Sequence, residues 1–324
     1  MSQVDRESKV KPLAQGALMA AVTVLLALIN MYVPFLGVVA IFVLPVPVVL
    51  VQLRFGMRQA LLTAIVSGVL LVALVGPVEA LLLFSFFGLI GLSFGYAFRR
   101  GFSPAWAFMA GTVAVSISWA ISMLMTFLVL RLSPLDMMNQ MYEAMTGAFA
   151  LYERWNLVAP EARAQLLAAW DLMRDHVYHI LPASFVIGAA ASSYLTYQLI
   201  RPVLGRLGHR VEPFPAFSQW KAPSYFILGL VAELALAFTY PRHGSEVLRA
   251  LGSNIGTIVR ITFAVMGVSL TSWLLQRWGV HKLVRMVALG YLVFHPWLQQ
   301  VAMLVGAFDA AVDYRRNLRR DGKR

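Results

Sequence analysis

The chain has 324 residues, of which 60% are hydrophobic and 13% charged, where a soluble domain carries about 25% charged residues. A soluble globule has too little interior to hide so much apolar side chain, whereas a bilayer accepts it on every outward face. The composition therefore calls for an all-α, polytopic transmembrane helical bundle. Cysteine is absent, which excludes disulfides, thiolate metal sites, iron–sulfur clusters and thiol nucleophiles.

A spanning helix needs about 20 mostly apolar residues. Splitting the uncharged runs at Pro, Gly and charge clusters predicts spans at 13–31, 36–53, 59–75, 78–98, 104–130, 177–200, 223–240 and 252–276. The uncharged stretch after Lys11 runs on to Leu53 without a small-residue cleavage site, so the first span is expected to stay as an anchor. A last apolar stretch, 280–314, is interrupted at His295-Pro296.

Charge decides how to count that last stretch. With the N-terminus inside, 20 of the 27 Lys and Arg fall in cytoplasmic segments, six fall outside and Arg260 lies within a span. Nine spans would put the basic tail from Arg315 to Arg324 outside, whereas ten keep it in the cytoplasm. Residues 280–295 reach only about 24 Å, short of a hydrocarbon core of about 30 Å. The expectation is about ten spans (8–10), the last two a short pair turning at Pro296, in the bacterial inner membrane with both termini cytoplasmic.

The organisation that follows is an N-tail (1–12), a six-span part (13–206) with an outer helical hairpin (131–176), a basic loop (207–222), C-terminal membrane helices (223–314) and a basic tail (315–324). In the hairpin, Ser133-Pro134 reads as an N-cap with proline at the first helical position. Met138, Met141, Tyr142, Met145, Phe149 and Tyr152 recur at helical spacing, and a second helix is expected from Pro160 into the sixth span. Such a hairpin can act as a lid or partner-binding element; the plainer reading is an amphipathic pair lying on the membrane or on the bundle.

Charges inside spans are costly, so Glu233 and Arg260 stand out. Each lies eight residues from a span boundary, at Pro241 and Gly252 respectively, which puts both about 12 Å deep and able to pair directly. The pair serves either as a substrate or proton site or simply as a pin between the seventh and eighth spans. Glu79, just past Gly76-Pro77, suits a helix N-terminus on dipole grounds alone. With Asn30 and Trp119 it can also line an outward pocket, the Trp stacking a ring while Asn and Glu hydrogen-bond it.

Asp171, Asp175 and His179, with His176 adjoining, share one helical face, but interfacial histidines beside acids are commoner than metal ligands, and no metal site or cofactor is expected. Asp309 and Asp313, one turn apart, read best as partners of basic residues in the inner loops, fixing the tail. The tail itself suits anionic lipid; nucleic-acid binding needs a soluble basic domain that the sequence lacks. No Ser/His/Asp set, carboxylate pair or zinc-protease motif emerges, so an enzyme is the weaker class.

Val46-Pro47-Val48-Val49-Leu50, then Arg54-Phe55-Gly56 and a helix rich in small residues, resemble the S components of energy-coupling-factor (ECF) vitamin transporters. The resemblance implies an S-component-like fold for the first six helices. It also implies docking of a transmembrane coupling subunit on the small-residue face of Gly16, Ala17, Ala20 and Ala21, and a ligand held from the outer side. No Gly-x-x-x-x-Gly-Lys-Ser/Thr element occurs, so active transport would need separate ATPase subunits.

Leu199-Ile200-Arg201-Pro202, Arg206-Leu207-Gly208, Pro213-Phe214-Pro215 with Trp220 and Pro223, and the closing Gly306, Asp309, Asp313, Tyr314, Arg315 and Arg316 are similar to the YybS-like family of bacterial membrane proteins. This likeness covers nearly the whole chain. The expected function is substrate recognition or transport of a small-molecule or lipid-like ligand, with a non-transport scaffold for envelope or signalling partners as the alternative. Since the chain has no native cysteine, a cysteine placed at position 324 tests the topology: in intact cells it should resist a membrane-impermeant maleimide and react only after permeabilisation.

Overall fold

The structure, a computed structural model, describes residues 3–155, 160–243, 245–312 and 314–315. All regular structure among them is helical: α1 (Gln3–Tyr32), α2 (Leu36–Val43), α3 (Val46–Phe55), α4 (Met57–Val75), α5 (Pro77–Arg99), α6 (Pro104–Leu130), α7 (Pro134–Arg154), α8 (Pro160–Arg206), α9 (Phe226–His243), α10 (Glu246–Arg277), α11 (Lys282–Phe294) and α12 (Pro296–Val312), with one 3-10 turn at Phe217–Gln219. The chain divides into two compact units, one of Met1–Pro160 with Phe185–Pro213, the other of Glu161–Ser184 with Phe214–Arg324.

The first unit is built around α3. The predicted span at 36–53 is two helices, α2 and α3, separated at Leu44-Pro45, because Pro47 and Pro45 cannot supply the N–H groups a continuous helix needs there. Every residue from Val46 to Gln52 is buried, against α1, α4 and α5. Glycines on α5 admit it: a Cβ at Gly91 would lie 2.8 Å from Val48 Cβ, and one at Gly95 2.6 Å from Gln52 Oε1. The chain leaves α3 through Gly56, whose φ of 94° lies in the region that favours glycine, and Arg99 Nη1 donates to the Gln52 carbonyl oxygen at 2.8 Å. By contrast Leu25, Val69, Leu74, Val113 and Leu128 are exposed, as side chains facing lipid should be.

Serine and proline start α7 as the sequence suggests. The Ser133 hydroxyl accepts from the Asp136 N–H at 3.2 Å, and Asp136 Oδ2 accepts from the Ser133 N–H at 2.8 Å. Hydrogen bonding to the Ser133 side chain first and its backbone second holds the Asp136 carboxyl below its ordinary pKa. A second helix does begin at Pro160, and it continues without interruption to Arg206, 47 residues in all.

Among the described residues, seven helical segments are long and apolar enough to cross a membrane: Val10–Tyr32, Leu36–Phe55 as a broken pair, Met57–Val75, Pro77–Arg99, Pro104–Val129, His179–Arg206 and Glu246–Arg277. The predicted span at 223–240 is a shorter apolar helix, Phe226–Thr239, about 21 Å long at 1.5 Å per residue. The predicted break at His295-Pro296 is present: α11 and α12 meet at 100°, and together they make an eighth candidate span if counted as one. His295 takes extended backbone there, as a residue before proline prefers.

In the second unit α10 is the central helix, with α9, α11 and α12 packed on it. It starts at Glu246, ahead of the Gly252 boundary read from the sequence. Its contact with α12 is backbone to backbone: a Cβ on Gly267 would collide with the Ala302 carbonyl oxygen, and one on Gly306 with the Phe263 carbonyl oxygen. Small residues at a crossing let membrane helices gain dispersion contacts that bulkier side chains prevent. Because both obstacles are main-chain atoms, no rotamer change relieves them. Gly306→Leu should therefore lower the stability of the detergent-purified protein by about 1–3 kcal/mol or more, read as a drop in melting temperature. Gly290→Ala, where an added Cβ meets nothing within 4 Å, should leave it unchanged or slightly raised.

Candidate functional site

Two charged groups of the second unit that the sequence places within spans meet each other. Arg260 Nη2 on α10 donates to Glu233 Oε1 on α9, an ion pair whose carboxylate side chain is 9% exposed and whose guanidinium side chain is 60% exposed. Three glycines bring the helices close enough. A Cβ on Gly229 would lie 2.6 Å from Val259 Cγ2, one on Gly252 would lie 3.2 Å from Leu236 Cβ, and one on Gly256 would occupy the space of the Glu233 carboxyl group. Glu233 is thus recessed against the backbone of α10, and its Oε2 is buried with no hydrogen-bond partner. Arg260 lies on the open side of the pair.

Beside them is a cavity of about 460 Å³, within the range of small-molecule sites. Ile180, Leu236, Ala237 and Leu248 supply apolar wall, while Glu233, Arg249, Ser253, Thr257 and Arg260 supply polar groups. The Thr257 hydroxyl donates to the Ser253 carbonyl oxygen at 2.7 Å.

Asn254 secures the α8 side of this region. Its Nδ2 donates to the His179 carbonyl oxygen at 2.7 Å, and its Oδ1 accepts from the Ala183 N–H at 2.7 Å. These two backbone groups are helical i, i+4 partners beside Pro182, whose ring disturbs the helix ladder there. A side-chain amide bonded to backbone groups beside a proline suits a hydrocarbon environment, where no water can take that place. Neither Asn254 nor the glycines were among the sequence candidates, although Gly252-Ser253-Asn254-Ile255-Gly256 spells a small-xxx-small pair.

A second buried polar group lies farther along α10. Arg315 Nη1 donates to the Ser218 carbonyl oxygen at 2.6 Å, Nη2 donates to Ser269 Oγ at 3.2 Å, and Nε lies 3.1 Å from Asp309 Oδ2. The Ser269 hydroxyl also lies 2.6 Å from the Phe217 and 2.8 Å from the Trp220 carbonyl oxygens. Asp309 pairs with Arg315 of the tail itself, not with an inner-loop base as the sequence suggested, because the loop presents carbonyls at this point. Asp309 is 1% and Arg315 7% exposed. Of the remaining motif residues, Gly306 forms the α12 crossing, Tyr314 is at the surface, and Asp313 and Arg316 lie outside the described residues.

The three residues proposed for an outward pocket have separate surroundings. Asn30 Nδ2 donates to the Gly37 carbonyl oxygen at 2.9 Å, Glu79 is exposed in the first turn of α5, and Trp119 packs edge-on against Phe185 with ring centroids 5.5 Å apart. None of them lines the cavity beside Glu233 and Arg260. The small-residue face of α1 is divided as well. Gly16 and Ala20 are buried, with Gly16 against Gln59 and Thr63 of α4, so that pair packs inside the chain; Ala17 and Ala21 are exposed. Of the Asp/His cluster, the side chains of Asp171, Asp175 and His176 lie outside the described residues, and no metal-binding group occurs among the described ones.

Residues 21–310 match the family described as "Predicted membrane protein (DUF2232)". The chain is 21% identical to the uncharacterized protein YybS of Bacillus subtilis (strain 168) over 314 residues, covering 95% of this chain and 99% of that protein. No solved structure matches.

The ion pair has a direct energetic signature. Removing Arg260 leaves Glu233 buried without its partner, which costs up to about 3–5 kcal/mol for a fully buried pair and less here because Arg260 is partly exposed. Arg260→Gln should therefore melt well below the parent protein, and the double variant Glu233→Gln/Arg260→Gln should recover most of the loss in a thermal-denaturation cycle.

Proposed function

The chain belongs to the DUF2232 family of predicted membrane proteins, and from the cavity on α10 we propose that it is a substrate-recognition or substrate-translocating component for a small-molecule or lipid-like ligand. The observation that carries this reading is the Glu233–Arg260 pair beside a cavity with apolar walls. An ionised pair within apolar helices is expensive to retain and a satisfied hydrophobic contact would pin α9 to α10 as well; an adjoining open space gives the charges something to bind. The ligand seat is assigned to Glu233 and Arg260 in preference to Asn30, Glu79 and Trp119, whose surroundings are separate from that space.

The arrangement we propose around this seat has ten membrane crossings, counting α9 and both members of the bent pair α11–α12. Both termini face the cytoplasm of the bacterial inner membrane, in keeping with the Lys and Arg bias. The first six spans are taken as S-component-like on the strength of the α2–α3 break followed by Phe55-Gly56 and the glycine-bearing α5. A transmembrane coupling subunit would then meet the exposed Ala17 and Ala21 and bring ATPase subunits with it.

Gentle purification followed by mass spectrometry of retained small molecules and lipids tests the reading. The parent protein should carry a ligand that Ala237→Trp, which fills the cavity from an exposed position, reduces at least tenfold. Equal retention by the two would remove the cavity from the function, and retention of nothing by either would favour the scaffold.

A further inference from the structure

We infer that the group bound in the α9–α10 cavity is an anion, a phosphate or carboxylate carried on an amphiphile, and that Arg260 is its receptor; this rests on the cavity being the ligand seat. Guanidinium has five N–H donors in a planar fork. Among the described residues the side chain of Arg260 makes one bond, from Nη2 to Glu233, which leaves the other edge of the fork for an acceptor. Its side chain is 60% exposed, and at membrane depth guanidinium N–H groups beyond the one that Glu233 accepts are costly to leave without an acceptor.

The carboxylate, by contrast, is withdrawn. Glu233 is 7% exposed, its Oε2 is buried, and Gly256 is the surface it rests against. A cationic ligand entering the cavity would meet the exposed Arg260 and find Oε2 of the carboxylate out of reach. Glu233 is accordingly a positioning residue that holds one edge of the guanidinium and orients the other. Arg249 lines the same cavity, about 16 Å away along α10, and Arg260 is the cation beside the Glu233 carboxylate. Leu236, Leu248 and Ile180 supply wall for an acyl or isoprenoid-like chain.

The ligand can be a lipid headgroup or a free anion, and a single titration separates them. The full-length protein in a neutral maltoside detergent is titrated with dihexanoyl phosphatidylglycerol, dihexanoylglycerol and inorganic phosphate, with bound species counted by native mass spectrometry. The phosphatidylglycerol should bind at least tenfold more tightly than the uncharged glyceride of the same chain length, and more tightly than inorganic phosphate. Arg260→Lys, which keeps the charge and the partner for Glu233, should retain the preference within a few-fold. Glu233→Gln/Arg260→Gln, which removes both charges together and so spares the fold, should abolish it.

Equal binding of charged and uncharged lipid, with both blocked by Ala237→Trp, overturns the anion receptor and leaves the cavity as the ligand seat. Inorganic phosphate binding as tightly as the lipid overturns the amphiphile. A charge preference untouched by Ala237→Trp overturns the cavity itself as the seat.

Discussion

Hydrocarbon gives a buried polar group no water to fall back on, and the second unit is organised by that requirement. α10 meets it three times along its length: Arg260 with Glu233 of α9, Asn254 with the backbone of α8 beside Pro182, and Ser269 with the loop carbonyls and Arg315. Interleaved with these polar points are Gly252, Gly256 and Gly267, where neighbouring groups approach closely, at Gly256 and Gly267 too closely for a Cβ. Polar attachment and close approach therefore alternate on one helix. The polar bonds specify which partner lies where, and the glycines supply the dispersion energy that lipid-exposed leucines cannot.

The two buried charge clusters differ in what they leave open. Around Arg315 the neighbours are protein groups: a loop carbonyl and a serine hydroxyl accept from it, and the Asp309 carboxylate lies beside it. That cluster joins the end of α12 to the loop before α9 and reads as structural. Around Arg260 one bond, from Nη2 to Glu233, is made, and the residue lines a cavity. The same residue type is thus enclosed in one cluster and left 60% exposed in the other.

Much of this was legible in the residues. Equal distance of Glu233 and Arg260 from their span boundaries predicted that they would meet, because depth in antiparallel helices is simple arithmetic. Ser133-Pro134 and His295-Pro296 marked real helix boundaries, since proline acts through its own ring and the residue before it whatever the surroundings. The bond from Arg315 to the carbonyl of Ser218, 97 residues away, was not legible, because a backbone acceptor carries no residue signature. Gly16 and Ala20 show the opposite difficulty: a small-residue pair announces close packing without saying whether the partner is another chain or, as here, α4 of the same one.

The enclosure of α3 bears on how the first unit is made. At ten residues it measures about 15 Å, half the thickness of the hydrocarbon, and its first seven, Val46 to Gln52, are all buried in protein. Such a segment cannot partition into lipid as an independent stage of biogenesis. Its final seat comes into being only when Gly91 and Gly95 have emerged from the ribosome with α5, so the synthesis of some forty further residues separates the birth of this helix from its burial.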